Sequence, residues 1–158
     1  MSIDQQISQL LSQERCGESR KQTLIFVMGE NARTHIEKGL SSEPGKLSSV
    51  MAVSRSRQDI DVLFLSRLQY LFMYLMKFEA VETANGIKYN HFVIYGPDDV
   101  IMSMERPMQL RLANLICNAA FRIKRKHDLL DVIMIPWDEQ SATAKELAKV
   151  EEYWRHIC

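Results

Sequence analysis

The sequence predicts an α+β, helix-rich single domain over residues 1–158 with short strands, and three observations predict it. Short runs rich in β-branched and aromatic residues stand at 22–28 (QTLIFVM), 88–95 (KYNHFVIY) and 131–137 (DVIMIPW). Between them apolar residues recur at the three- to four-residue spacing of helices. A chain of 158 residues that is 46% hydrophobic and 25% charged can bury one core of ordinary globular composition, which excludes wholesale disorder.

Taken in order, Ile3, Ile7, Leu10 and Leu11 mark a short amphipathic helix that ends by Gly17. The strand 22–28 is closed by Gly29, and a helix over 30–38 follows, stopped by Gly39. Residues 40–56 concentrate Ser, Pro and Gly, the composition of a flexible surface loop. Ser56 with Asp59 resembles a capping box, and a long helix over 58–82 is expected after it. That helix is apolar on nearly every face, from Val62 through Phe78, more than a small domain can cover, so a homodimer is expected. Asn85-Gly86 is a tight turn before the strand 88–95, which Gly96-Pro97 closes. Residues 98–105 fit a short helix or a strand. Pro107 opens a helix running to about His127, the strand 131–137 follows, and Asp138 caps or precedes a final helix to about Tyr153.

Cys16, Cys117 and Cys158 are odd in number and widely spaced, against a disulfide framework, so a reducing cytoplasm is the expected compartment. No secretory signal stands at the amino terminus, and the apolar stretch 62–78 is too short and too interrupted to span a membrane. Gly45-Lys46 lacks the flanking residues of a phosphate-binding loop, and the four histidines share no ligand spacing. The carboxylate pairs read as caps, and no cysteine has the setting of an activated nucleophile. No enzyme activity, cofactor, metal or small-molecule ligand is therefore expected. Met28, Met51, Met73, Met76, Met102, Met104, Met108 and Met134 fill a core or suit an adaptable interface.

Charge is the strongest functional clue. The formal net charge is zero, yet 106–127 holds six Arg or Lys and no acid, while 128–158 holds seven acids and three bases. On the helix after Pro107, Arg111, Asn114, Asn118, Arg122 and Arg125 stack at steps of 3, 4, 4 and 3, beside Lys124 and Lys126. Arginine and asparagine can bond base edges and lysine can meet phosphate, so this face is the expected contact for double-stranded DNA. The bland alternative is a basic helix end that complements the helix dipole. Arg20, Lys21, Arg55 and Arg57 are expected as secondary phosphate contacts.

The run 23–26 into Gly29-Glu30-Asn31-Ala32-Arg33, the Arg106-Pro107-Met108 helix and the exit Asp128-Leu129-Leu130 together resemble AcaB-like activators of conjugative plasmids and integrating conjugative elements. That resemblance implies a cytoplasmic homodimeric DNA-binding regulator of atypical ribbon-helix-helix fold, activating transfer genes. One departure is visible already: Leu24 to Val27 is continuously apolar, whereas a ribbon that reads DNA exposes alternate polar side chains. The alternative is an adaptor or assembly factor of a conjugation or secretion apparatus, offering a methionine-rich surface to another protein.

Overall fold

The computed structural model of the chain describes residues 3, 5, 22–42, 60–83 and 86–158. Its elements are β1 (Thr23–Met28), α1 (Gly29–Ser42), β2 (Ile60–Leu65), α2 (Leu68–Glu79), β3 (His91–Tyr95), α3 (Pro97–Ile101), α4 (Arg106–Lys126), β4 (Asp131–Ile135) and α5 (Ala142–Ile157). The four short strands form one parallel sheet in the order β2-β1-β3-β4. Thr23 stands opposite both Ile60 and His91, and His91 opposite Asp131. The α+β, helix-rich class expected from the sequence is thus present, with every strand pair parallel.

A strand in the middle of a parallel sheet is covered on both faces, which is why β1 and β3 are unbroken apolar runs, buried at every position. Alternate residues then feed two cores. On one face Leu24, Phe26, Met28, Phe92, Ile94 and Val132 meet α2, α4 and α5. On the other, Ile25, Val27, Val93, Tyr95 and Ile135 meet Ala32 and Ile36 of α1, and Ile3 joins them. The leucines of α2, Leu68, Leu71 and Leu75, are fully buried, each burial stabilising by about 1.5–3 kcal/mol. Ser141 caps α5, its hydroxyl accepting the N–H of Ala144 at 3.1 Å.

The largest correction falls between 58 and 82. The expected single long helix is a strand, β2, followed after Ser66 and Arg67 by the helix α2. The all-round apolarity belonged to two elements: Leu63 and Leu65 point to one core from a sheet edge, and the α2 leucines to the same core from a helix. Part of the apolar surface of this stretch is therefore covered within the chain, while Val62, Phe64, Tyr70 and Met73 remain exposed. β1 does not form the ribbon of a ribbon-helix-helix dimer, because it is paired on both edges by β2 and β3 and has none left for a second subunit.

Smaller differences follow from local competition. α1 runs through Gly39 to Ser42. Residues 98–105 begin as the short helix α3, with Pro97 in its first turn. Asp138 precedes the last helix, and its side chain accepts the N–H of Gln140 at 3.0 Å. The first helix beyond Gln5, most of the loop 40–56, the Ser56–Asp59 cap, Cys16, Gly45-Lys46 and Asn85 lie outside the described residues. Among the described residues no helix is long and apolar enough to cross a membrane.

Candidate functional site

In an open parallel sheet the natural ligand crevice lies at the carboxyl ends of the strands, where neighbouring strands send their connections to opposite faces. Here that point falls between β1 and β3. Both strands end on a glycine in the left-handed region, Gly29 at φ +84° and Gly96 at φ +79°. The space between them is filled by the chain itself. A Cβ on Gly96 would stand 2.9 Å from the Met28 carbonyl oxygen and 3.0 Å from Ala32 Cβ, and one on Gly29 would stand 3.0 Å from Val100 Cγ2.

The filler is α3, which packs against β1, α1, α2 and α5. Its Asp98 is buried, and its carboxylate accepts the backbone N–H groups of Trp137 at 2.7 Å and Asp138 at 3.0 Å. Gly96 N–H donates to Ile135 O at 2.9 Å, and Asn31 Nδ2 donates to Asp99 Oδ2 at 3.1 Å. His35 stacks edge-on to Trp137, with Tyr95 beside both. The carboxylates that suggested helix caps are thus fasteners across the sheet end. A small open cleft of about 150 Å³ remains beside it, lined by Gly29, Glu30, Arg33, Phe64 and Ser66. It is below the roughly 300 Å³ at which small-molecule sites begin. Arg33 is also committed there, to Glu37 at 3.0 Å and to the Phe64 ring at 5.1 Å.

The basic helix is α4, and its charge is less free than the sequence implies. Arg122 pairs with Glu79 at 3.1 Å, Lys124 with Asp131 at 3.3 Å, and Lys126 donates to the Glu79 backbone carbonyl. Asn114 faces α5, accepting from Trp154 Nε1 at 2.9 Å while its amide donates to Leu110 O. Asn118 is half-buried. Arg111 and Arg125 are exposed and make no ion pair among the described residues. Arg20, Lys21, Arg55 and Arg57 lie outside the described residues.

On the opposite flank of α4 the acidic tail is held by a residue that sequence reading passed over. Arg155 of α5 donates to Asp131 Oδ1 at 2.7 Å, to Val132 O at 2.7 Å and to Glu151 Oε1 at 2.9 Å, with its guanidinium 4.9 Å from the Phe121 ring centre. Burial opposes the charge on Asp131, yet Arg155, the Val132 N–H and Lys124 hold its pKa below the usual carboxylate value. Burial pushes Glu151 up in spite of the same arginine. The acidic excess after position 128 therefore includes a brace between α5 and the sheet. At the far edge Asp61 is lowered, first by the Tyr89 hydroxyl at 2.6 Å and then by Lys88 at 3.0 Å, while burial and Asp61 push Tyr89 up to about 12. Cys117 is pushed up to about 12 by burial, the opposite of an activated nucleophile.

Fold and site together define a helix-covered parallel-sheet protein whose usual ligand crevice is occupied by its own side chains. A family model for "Suppressor of HU sensitivity involved in recombination protein 1" matches residues 4–158, and the chain belongs to that family. A curated relative of that description from Saccharomyces cerevisiae is 27% identical over 158 residues, with 99% of each chain covered. This overturns the resemblance to AcaB-like activators. With it go the transcriptional activation of conjugative transfer genes and the alternative of a conjugation or secretion adaptor.

Proposed function

We propose that this chain acts in recombination, as a non-catalytic component that works through contacts with other proteins. The family description supplies the process. The observation that carries the mode of action is Asp98: it spends its carboxylate on the backbone of Trp137 and Asp138 at the place where a sheet of this topology would hold a ligand. What the molecule offers outward is then its helical surface. Direct capture of double-stranded DNA ranks second, because three of the α4 cations, Arg106, Arg122 and Lys124, already bond acids of the same chain and phosphate binding gains with each cation it can use.

The test is genetic. Deleting the gene in its own organism should lower the frequency of recombinants between two marked alleles, and the intact gene should restore it. An unchanged frequency would overturn the proposal.

A further inference from the structure

Two exposed methionines, Met73 and Met108, and two arginines without an ion pair among the described residues, Arg111 and Arg125, stand on the adjacent helices α2 and α4. Met108, Leu115 and Arg122 follow at seven-residue steps and so form one row along α4, with Met108 46% and Leu115 39% exposed. On α2, Met73, Met76 and Glu79 follow at three-residue steps, and Met73 is 65% exposed. The two helices pack side by side, and both rows end on the Arg122–Glu79 pair. Between the rows runs a seam floored by apolar side chains. Within the two helices the unpaired charge beside the seam is positive. Glu79 is the one acid in α2 and α4 together, and Arg122 neutralises it, whereas Arg111 and Arg125 are exposed with no ion pair among the described residues.

We propose that the seam between α2 and α4 docks an amphipathic, acidic helix of a protein partner, an inference that rests on the protein-contact reading above and names the partner's chemistry. Methionine suits such a surface because its flexible thioether follows the shape of what lies on it. A helix laid in the seam would bury an apolar stripe against Met73, Met108 and Leu115 and set its acids against the rim. Arg111 and Arg125 are fourteen residues apart, about 21 Å along the axis, so acids fourteen positions apart on the partner helix would meet both. Nucleic acid fits the seam less well, since phosphates spaced about 1.7 Å along a duplex would face the exposed apolar side chains of Met73, Met108 and Leu115 beside the two arginines.

The test measures fluorescence anisotropy of a labelled synthetic peptide on the full chain. The peptide is a helix former of about 20 residues, with an apolar stripe and two glutamates fourteen positions apart; controls are a scrambled peptide and a short DNA duplex. The ordered peptide should bind better than the scrambled one. Arg111→Glu with Arg125→Glu should weaken it about tenfold, and a peptide with lysines for the two glutamates should regain binding to that variant, which also proves the variant folded. Equal binding of both peptides, indifference to the charge reversal, or salt-sensitive binding of the duplex alone would overturn the docking site. In cells the outcomes separate: a deletion without effect removes the recombination reading, whereas a deletion phenotype that the double variant fully rescues removes only the seam.

Discussion

Replacing Asp98 by Ala examines the closure of the sheet end most sharply. The substitution removes both acceptors of the Trp137 and Asp138 N–H groups and leaves a void where a 3% exposed side chain stood. An unsatisfied buried donor costs about 1–3 kcal/mol. Trp137 and Asp138 are themselves exposed enough for water to reach the broken bonds, so the lower half of that range applies to each and the sum is about 2–4 kcal/mol. With a urea slope of about 2 kcal/mol/M, the unfolding midpoint should fall by about 1–2 M. Fluorescence suits the assay because the two tryptophans, Trp137 and Trp154, sit one at the brace and one in the α4–α5 contact. Asp98→Asn keeps one acceptor oxygen and should lose about half as much. A midpoint unmoved by Asp98→Ala, at constant slope, would refute the claim that this carboxylate fastens the crevice shut.

Three further outcomes follow from the same structure. Arg155→Met should destabilise by about 1–3 kcal/mol, the modest range set by an arginine one-third exposed, and Arg155→Lys should recover little because one ammonium cannot reach Asp131, Val132 and Glu151 together; chemical denaturation measures both. Burial lowers the pKa of His91 below its ordinary value while Asp131 pulls it back only in part, so the stability it contributes is complete above the unfolded value near 6.5 and is lost as pH falls through the folded one. Denaturation at pH 7.5 and 5.5 should therefore show a drop that His91→Asn reduces. Cys158 is exposed and Cys117 is buried with its thiol pushed up to about 12, so a maleimide followed by peptide mapping should mark Cys158 in the folded protein and Cys117 only after unfolding.

Much of this fold is legible in the sequence because β1, β3 and β4 are short and bounded by glycine or proline, and α4 is long with a clear periodicity. The stretch from Ile60 to Glu79 was not. An apolar strand at a sheet edge and a helix packed on the sheet face produce the same continuous apolar text, and only the β-rich composition of Ile60–Leu65 and the polar step Ser66-Arg67 separate them. The candidate surface was half legible. Sequence places Arg111, Arg122 and Arg125 on one face, but charge pairing across elements, Glu79 to Arg122 and Asp131 to Lys124, arises from folding and has no local signal. The seven-residue spacing of Met108, Leu115 and Arg122 marks one ridge of α4, but spacing alone does not separate exposed methionines from buried ones. The Asp98 and Arg155 braces join residues 39 and 24 positions apart in the chain, and nothing in the local text announces them.

The central claim is that the carboxyl end of the sheet is filled by the protein's own side chains and that the molecule acts through its surface. Titrating ATP with Mg²⁺ into the purified chain by calorimetry tests it most directly, since a nucleotide is what sheets of this topology commonly hold at that point. No saturable heat is expected up to millimolar nucleotide. Saturable binding, lost when Gly29 or Gly96 is changed in a variant that still folds, would contradict it.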